Sequence, residues 1–344
     1  MAYTTIKKPS DYFNTVTYTG NASTLSVTGV GFQPDWTWIK DRNSAGDDHA
    51  LYDAVRGTTK RIRSNQNDAE NTQSDGLTSF DSDGFTVGTN GASNGDGQPF
   101  VAWNWLGANG TASNTDGSIT STVSANTTSG FSIVSYTGTG ANATVGHSLN
   151  SAPKMIIFKN RTVARNWISY HDSIGATKFM YFNLTNAETT DSTAFNNTAP
   201  TSSVFSLGSN VGGNESGSSM IAYCFAEVKG FSKFGSYTGN GSSDGTFVYT
   251  GFKPAWILTK KSSGSGDSWN LLDATRNPNN AVDKRLTPDT ADAEATTTQY
   301  DILSNGFKAR ATTGSVNTSG ATYIYMAFAE NPLVGTNNIP ATAR

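Results

Sequence analysis

With 344 residues, 35% hydrophobic and only 15% charged, the chain can bury several small cores and lacks the charge of a disordered chain of comparable polarity. Its net charge of −3 excludes the basic footprint that nucleic acid or an anionic membrane surface would need. The 7 Trp, 18 Phe and 13 Tyr supply core anchors and the 35 Gly supply turns, so an all-β chain of many short strands is expected.

From the N-terminus, Met1-Ala-Tyr-Thr-Thr-Ile-Lys-Lys8 has no apolar stretch and predicts no signal peptide. No later run approaches a membrane span, so a soluble protein made in a cytoplasm, without membrane insertion, is expected. Cys224 is the only cysteine, which rules out an intrachain disulfide.

The stretches 13–107, 131–227 and 231–330 line up as three copies of one unit. Each opens with a strand ending in Tyr-Thr-Gly, at Tyr18–Gly20, Tyr136–Gly138 and Tyr237–Gly239. A proline-led strand carrying a lysine follows, at Pro34–Lys40, Pro153–Lys159 and Pro254–Lys260. The third element reads His49-Ala-Leu-Tyr-Asp53, Trp167-Ile-Ser-Tyr-His171 and Trp269-Asn-Leu-Leu-Asp273. Next come Lys60-Arg-Ile62, Lys178-Phe-Met180 and Lys284-Arg-Leu286, then a strand at Gly84-Phe85, Val204-Phe205 and Gly306-Phe307. Lys60-Arg61 and Lys284-Arg285 read as solvated strand ends rather than a polyanion site.

Each copy closes on an alternating strand: Val101, Trp103 and Trp105; Ile221, Tyr223 and Phe225; Ile324, Met326 and Phe328. Successive side chains in a strand point to opposite faces, so each trio lines one face, as in a central sandwich strand. The expected organisation is three tandem β-sandwich, jelly-roll-like modules at 1–107, 131–227 and 228–330. A polar linker at 108–130, expected to hold one edge strand around Ile119–Val123, and a C-terminal docking tail at 331–344 complete it. Autonomous packing is expected, with a loose joint at 108–130 and a tight one at Val228-Lys229-Gly230.

The phrases Gly31-Phe-Gln-Pro-Asp-Trp-Thr-Trp-Ile-Lys40, Phe80-Asp-Ser-Asp-Gly-Phe85, Ile221-Ala-Tyr-Cys-Phe-Ala-Glu227, Tyr323-Ile-Tyr-Met-Ala-Phe-Ala-Glu330 and Val334–Arg344 carry a family likeness. Across essentially the whole chain they resemble repeat-bearing virion structural proteins of marine tailed bacteriophages, labelled tail-fibre-like or concanavalin-lectin-like. The resemblance implies a virion component with β-sandwich modules. Its implied partners are other virion proteins and a host cell-surface glycan, and a homo-oligomer in the particle, a trimer, is expected.

The repeats provide an internal control on chemistry. His49 aligns with Trp167 and Trp269, while His171 aligns with Asp53 and Asp273, so no histidine–carboxylate–nucleophile set recurs. No catalytic residue, cofactor or metal is therefore expected. Glu227 and Glu330 match but lie at strand ends of different units, unlike the facing carboxylates of a glycosidase. Asp81-Ser-Asp83-Gly84 offers oxygen ligands for calcium but reads equally as a hairpin turn. Trp36 and Trp38 exchange with Met155, Ile157 and Leu258, as core positions do. Trp167 and Trp269 face a polar counterpart, His49, and are kept as weak binding candidates. The expectation is a non-enzymatic virion protein of tail-fibre or receptor-binding type; a capsid decoration or head-fibre protein is the near alternative, and a polysaccharide-degrading enzyme the remote one.

Overall fold

In the closing strands alternate residues face two different cores, and that division organises the molecule. The computed structural model describes residues 4–334. With 45% strand and 3% helix in several antiparallel sheets, the all-β sandwich expectation holds. Pro99–Trp105 lies between Phe13–Thr19 and Trp36–Asp41, and Ser219–Ala226 between Phe131–Thr137 and Pro153–Asn160. Thr322–Pro332 likewise lies between Ser232–Thr238 and Phe252–Lys261. These three strands are central in their sheets, where both rows of backbone groups find partners.

The sheets come in pairs. An inner six-stranded sheet holding Pro99–Trp105 packs on an outer sheet of Leu25–Thr28, Gly84–Val87 and Leu77–Asp81. The inner sheet holding Ser219–Ala226 has eight strands and packs on Ala143–Gly146 with Val204–Leu207. The inner sheet holding Thr322–Pro332 has four strands, as does its outer partner, which begins with Phe247–Tyr249 and Gly306–Ala309. Where one edge strand is expected around Ile119–Val123, the stretch 108–130 holds two: Ala112–Asn114 and Ser121–Asn126 extend the eight-stranded sheet, because Ser121–Asn126 pairs with Phe131–Thr137. Of the proposed tail, Asn331 and Pro332 belong to the closing strand, and residues 335–344 lie outside the described residues.

Between each pair of sheets sits a small core. Phe100 and Ala102 belong to one, Met220, Ala222 and Cys224 to the second, and Tyr323, Tyr325 and Ala327 to the third. The trios face the other way, into a single larger core to which all three repeat stretches contribute. There Trp36 stacks on Trp105 at 4.4 Å and on Tyr223 at 4.3 Å, and Phe13 stacks on Phe328 at 4.9 Å. Pairs of this kind add about 0.5–1.5 kcal/mol each beyond their buried area. The stretches therefore pack as one body rather than separately. The physical reason is that each inner sheet is apolar on both faces, and one outer sheet can cover only one of them.

The Tyr-Thr-Gly signature has a local explanation. The hydroxyls of Tyr18, Tyr136 and Tyr237 donate to the carbonyls of Ser93, Gly213 and Val316, at 2.7, 2.6 and 2.8 Å. The glycine lets the returning chain pass: a Cβ on Gly138 or Gly239 would lie 2.3 Å from a backbone oxygen. Three fully buried asparagines, Asn94, Asn214 and Asn317, pin the same turn by accepting from the backbone N–H of Asn21, Thr139 and Asn240.

Candidate functional site

The polar chemistry of the chain gathers where one repeat stretch meets the next, and the three joints are built alike. The residue heading the third element is the clearest case. The indole N–H of Trp167 donates to the carbonyl of Arg63 at 2.9 Å, and that of Trp269 to the carbonyl of Tyr181 at 3.0 Å. His49 pairs through Nε2 with the carbonyl of Thr287 at 3.1 Å. Arg63, Tyr181 and Thr287 directly follow Ile62, Met180 and Leu286, so the three acceptors are equivalent. His49 is thus the small version of the same linking ring.

Trp167 and Trp269 are 0% and 1% exposed, and each indole carries a lysine over its ring, Lys159 at 5.8 Å and Lys260 at 5.7 Å. Neither face is open to a sugar. The lysines bridge the joints as well: Lys159 donates to the carbonyls of Arg165 and Asn67, and Lys260 to those of Asp267 and Leu184. Burial pulls both ammonium groups down to about 8, which leaves them charged at neutral pH.

The end of the third element makes a second linked set. The Asp53 carboxylate accepts from the Tyr223 hydroxyl at 2.7 Å and from the Arg56 guanidinium. Asp273 accepts from the Trp103 indole at 2.9 Å and from Arg276 Nε at 2.6 Å. Both Asp–Arg pairs are fully buried, where the charges stay only because they are paired and hydrogen-bonded. In the remaining joint the facing closing strand offers Met326, which has no donor. Here His171 replaces aspartate and pairs through Nε2 with the Tyr325 carbonyl at 3.1 Å. The departures of repeat two from the pattern are thus mutually compensating.

A third set lay unread in the sequence. The backbone N–H of Glu70, Glu188 and Glu294 donates to the carbonyls of Arg161, Ser262 and Arg42, at 2.9, 3.0 and 2.8 Å. Glu70 also takes Arg56 and Arg161, and Glu294 takes Arg276 and Arg42. Burial raises these two carboxyls, but the guanidinium groups overcome it and hold both below the ordinary range. The available signal was the Ala-Glu dipeptide at 69–70, 187–188 and 293–294. The first stretch joins the second, the second joins the third, and the third returns to the first. That is a heterologous contact closed into a ring.

The titratable side chains here are held by burial and by protein partners. Burial lowers His49 to about 3 and His171 to about 4, and His147 is lowered for the same reason. All three imidazoles are neutral at pH 7, and both nitrogens of each are engaged by protein groups. Burial pushes the Cys224 thiol well up, away from the thiolate a nucleophile needs. Glu227 and Glu330 pair with Lys233 and Lys253. In the Asp81–Gly84 hairpin, Asp83 accepts from the N–H of Gly29 and Gly31, while Asp81 accepts from Ser79 and Thr86. Among the described residues no three His, Cys, Asp or Glu side chains converge as a metal site would require.

Compared with known proteins, residues 8–332 match the family model described as a domain of unknown function, DUF7483. The chain belongs to that family. The match spans the whole ring of joints, so the family's domain comprises all three repeat stretches rather than one. No curated protein and no solved structure matches the chain. Among the described residues, no helix is long and apolar enough to cross a membrane.

Proposed function

We propose that the chain is a non-enzymatic structural protein displayed on a bacteriophage particle, of the tail-fibre or receptor-binding type. The observation that carries the non-enzymatic part is where the reactive side chains lie: His49, His171, the Asp53–Arg56 and Asp273–Arg276 pairs, Lys159 and Lys260 are consumed in the joints between repeats. The tie to a virion rests on the sequence resemblance. A rigid body without disulfides, held by one shared core and three closed joints, suits a component that must survive outside a cell. On this reading the partners are neighbouring virion proteins and a host surface glycan.

One observation favours the second reading, a capsid decoration or head-fibre protein. The repeats close into a ring of three equivalent joints, a shape that fits a threefold or pseudo-threefold position on a shell. Cryo-EM of particles from the phage encoding the chain separates the two. Density at the tail supports the first reading and density on the capsid lattice the second. Its absence from purified particles overturns both.

A further inference from the structure

We propose that the free edge of strand Phe247–Tyr249 is a docking site for an extended segment of another polypeptide, which adds to the outer sheet as a further strand. The repeats supply the comparison. Leu25–Thr28, Ala143–Gly146 and Phe247–Tyr249 occupy the same place, with Val27, Val145 and Val248 facing inward opposite Phe85, Phe205 and Phe307.

In the second stretch this edge is already filled. Ile119 pairs with Val145 in a parallel bridge, and its N–H donates to the Thr144 carbonyl at 3.0 Å. Ser118 and Thr144 exchange hydrogen bonds beside it, each backbone N–H donating to the other's hydroxyl at 2.9 Å. The covering segment comes from residues 108–130. The joint before the third stretch has only Val228-Lys229-Gly230 and cannot supply one. Among the described residues, nothing pairs with the outer side of Phe247–Tyr249.

Among the described residues the first stretch also lacks a cover, yet its outward residues there are Ser26 and Thr28, polar side chains suited to water. At the same two positions the third stretch exposes Phe247 at 44% and Tyr249 at 54%. Two homologous strands fold without aromatics there, so the fold does not require them. An open strand edge flanked by apolar side chains is the arrangement that strand addition uses, with main-chain bonds for affinity and side-chain contacts for selection. Because Phe247 stands where Thr144 meets Ser118, the added strand needs an apolar residue in place of that serine. The proposal does not depend on where the protein resides.

The test uses the full chain and two labelled synthetic peptides: residues 114–122 of this protein, and the same peptide with Ser118→Val. Anisotropy titration follows binding, and hydrogen exchange locates it. The expected result is saturable binding of the S118V peptide, slower exchange at 246–250, and weaker binding of the native peptide. Phe247→Ser with Tyr249→Thr, which installs the residues of the first stretch, should weaken binding at least tenfold without changing the melting temperature. Lack of saturation by either peptide at millimolar concentration, or equal binding to the double variant, overturns the proposal. So does displacement of the peptide by maltohexaose protecting the same residues, which would make the aromatics a sugar platform.

Discussion

Three tryptophans of the shared core, Trp36, Trp105 and Trp256, bury indole N–H groups that find no acceptor among the described residues, whereas Trp103 donates to the buried Asp273. The two kinds should respond differently to Phe. Trp256→Phe loses area alone, while Trp103→Phe also strips a partner from a buried carboxylate, an additional cost of about 1–3 kcal/mol. Chemical denaturation of the two variants checks this, and equal losses would contradict the role given to Trp103. The histidines make a pH prediction. His49 and His171 are held near 3 and 4 against an ordinary 6.5, so the unfolded chain takes up protons first as pH falls. Stability should be full above about pH 6.5 and decline from there toward pH 4. His171→Gln keeps a side-chain N–H but removes the titration, so its melting temperature should fall less over that window. An unchanged pH profile would contradict the assignment. At this scale the alignment of His49 with tryptophan was legible, but its meaning was not. A side chain that bonds to another repeat's backbone leaves no partner residue type to read.

The closing strands were the most legible elements, because period-two alternation directly reports two faces. What alternation could not report is which face meets which core. Val101, Trp103 and Trp105 looked like the lining of a local sandwich, yet they face the shared centre, where three sheets leave room for large rings. The turn pinned by Tyr-Thr-Gly and the buried asparagines is testable through its glycines. Gly239→Ala would press a Cβ to 2.3 Å from the Thr318 carbonyl oxygen, whereas a Cβ at Gly91 meets nothing within 4 Å. The first should cost about 1–3 kcal/mol, as overpacking does, and the second little or nothing. Thermal melts of both variants decide it, and a neutral Gly239→Ala would refute the close approach. The Glu70, Glu188 and Glu294 joints went unread because they sit in irregular segments, where no periodicity marks a contact with a distant stretch.

For the whole molecule, repetition in the sequence was read as tandem modules joined by one loose and one tight joint. Linker length turned out to say little about packing: the joint spanned by 108–130 and the one spanned by three residues use equivalent hydrogen bonds, and so does the third, which no linker spans. Self-similarity reveals a unit but cannot say whether its second apolar face meets solvent, another chain or its own copies. The central claim is that the copies share one core and close on one another. Differential scanning calorimetry of the full chain tests this most directly. A single transition with equal calorimetric and van't Hoff enthalpies is predicted, since no copy can lose its inner sheet without exposing the others. Two or three resolved transitions, each assignable to one repeat stretch, would contradict it.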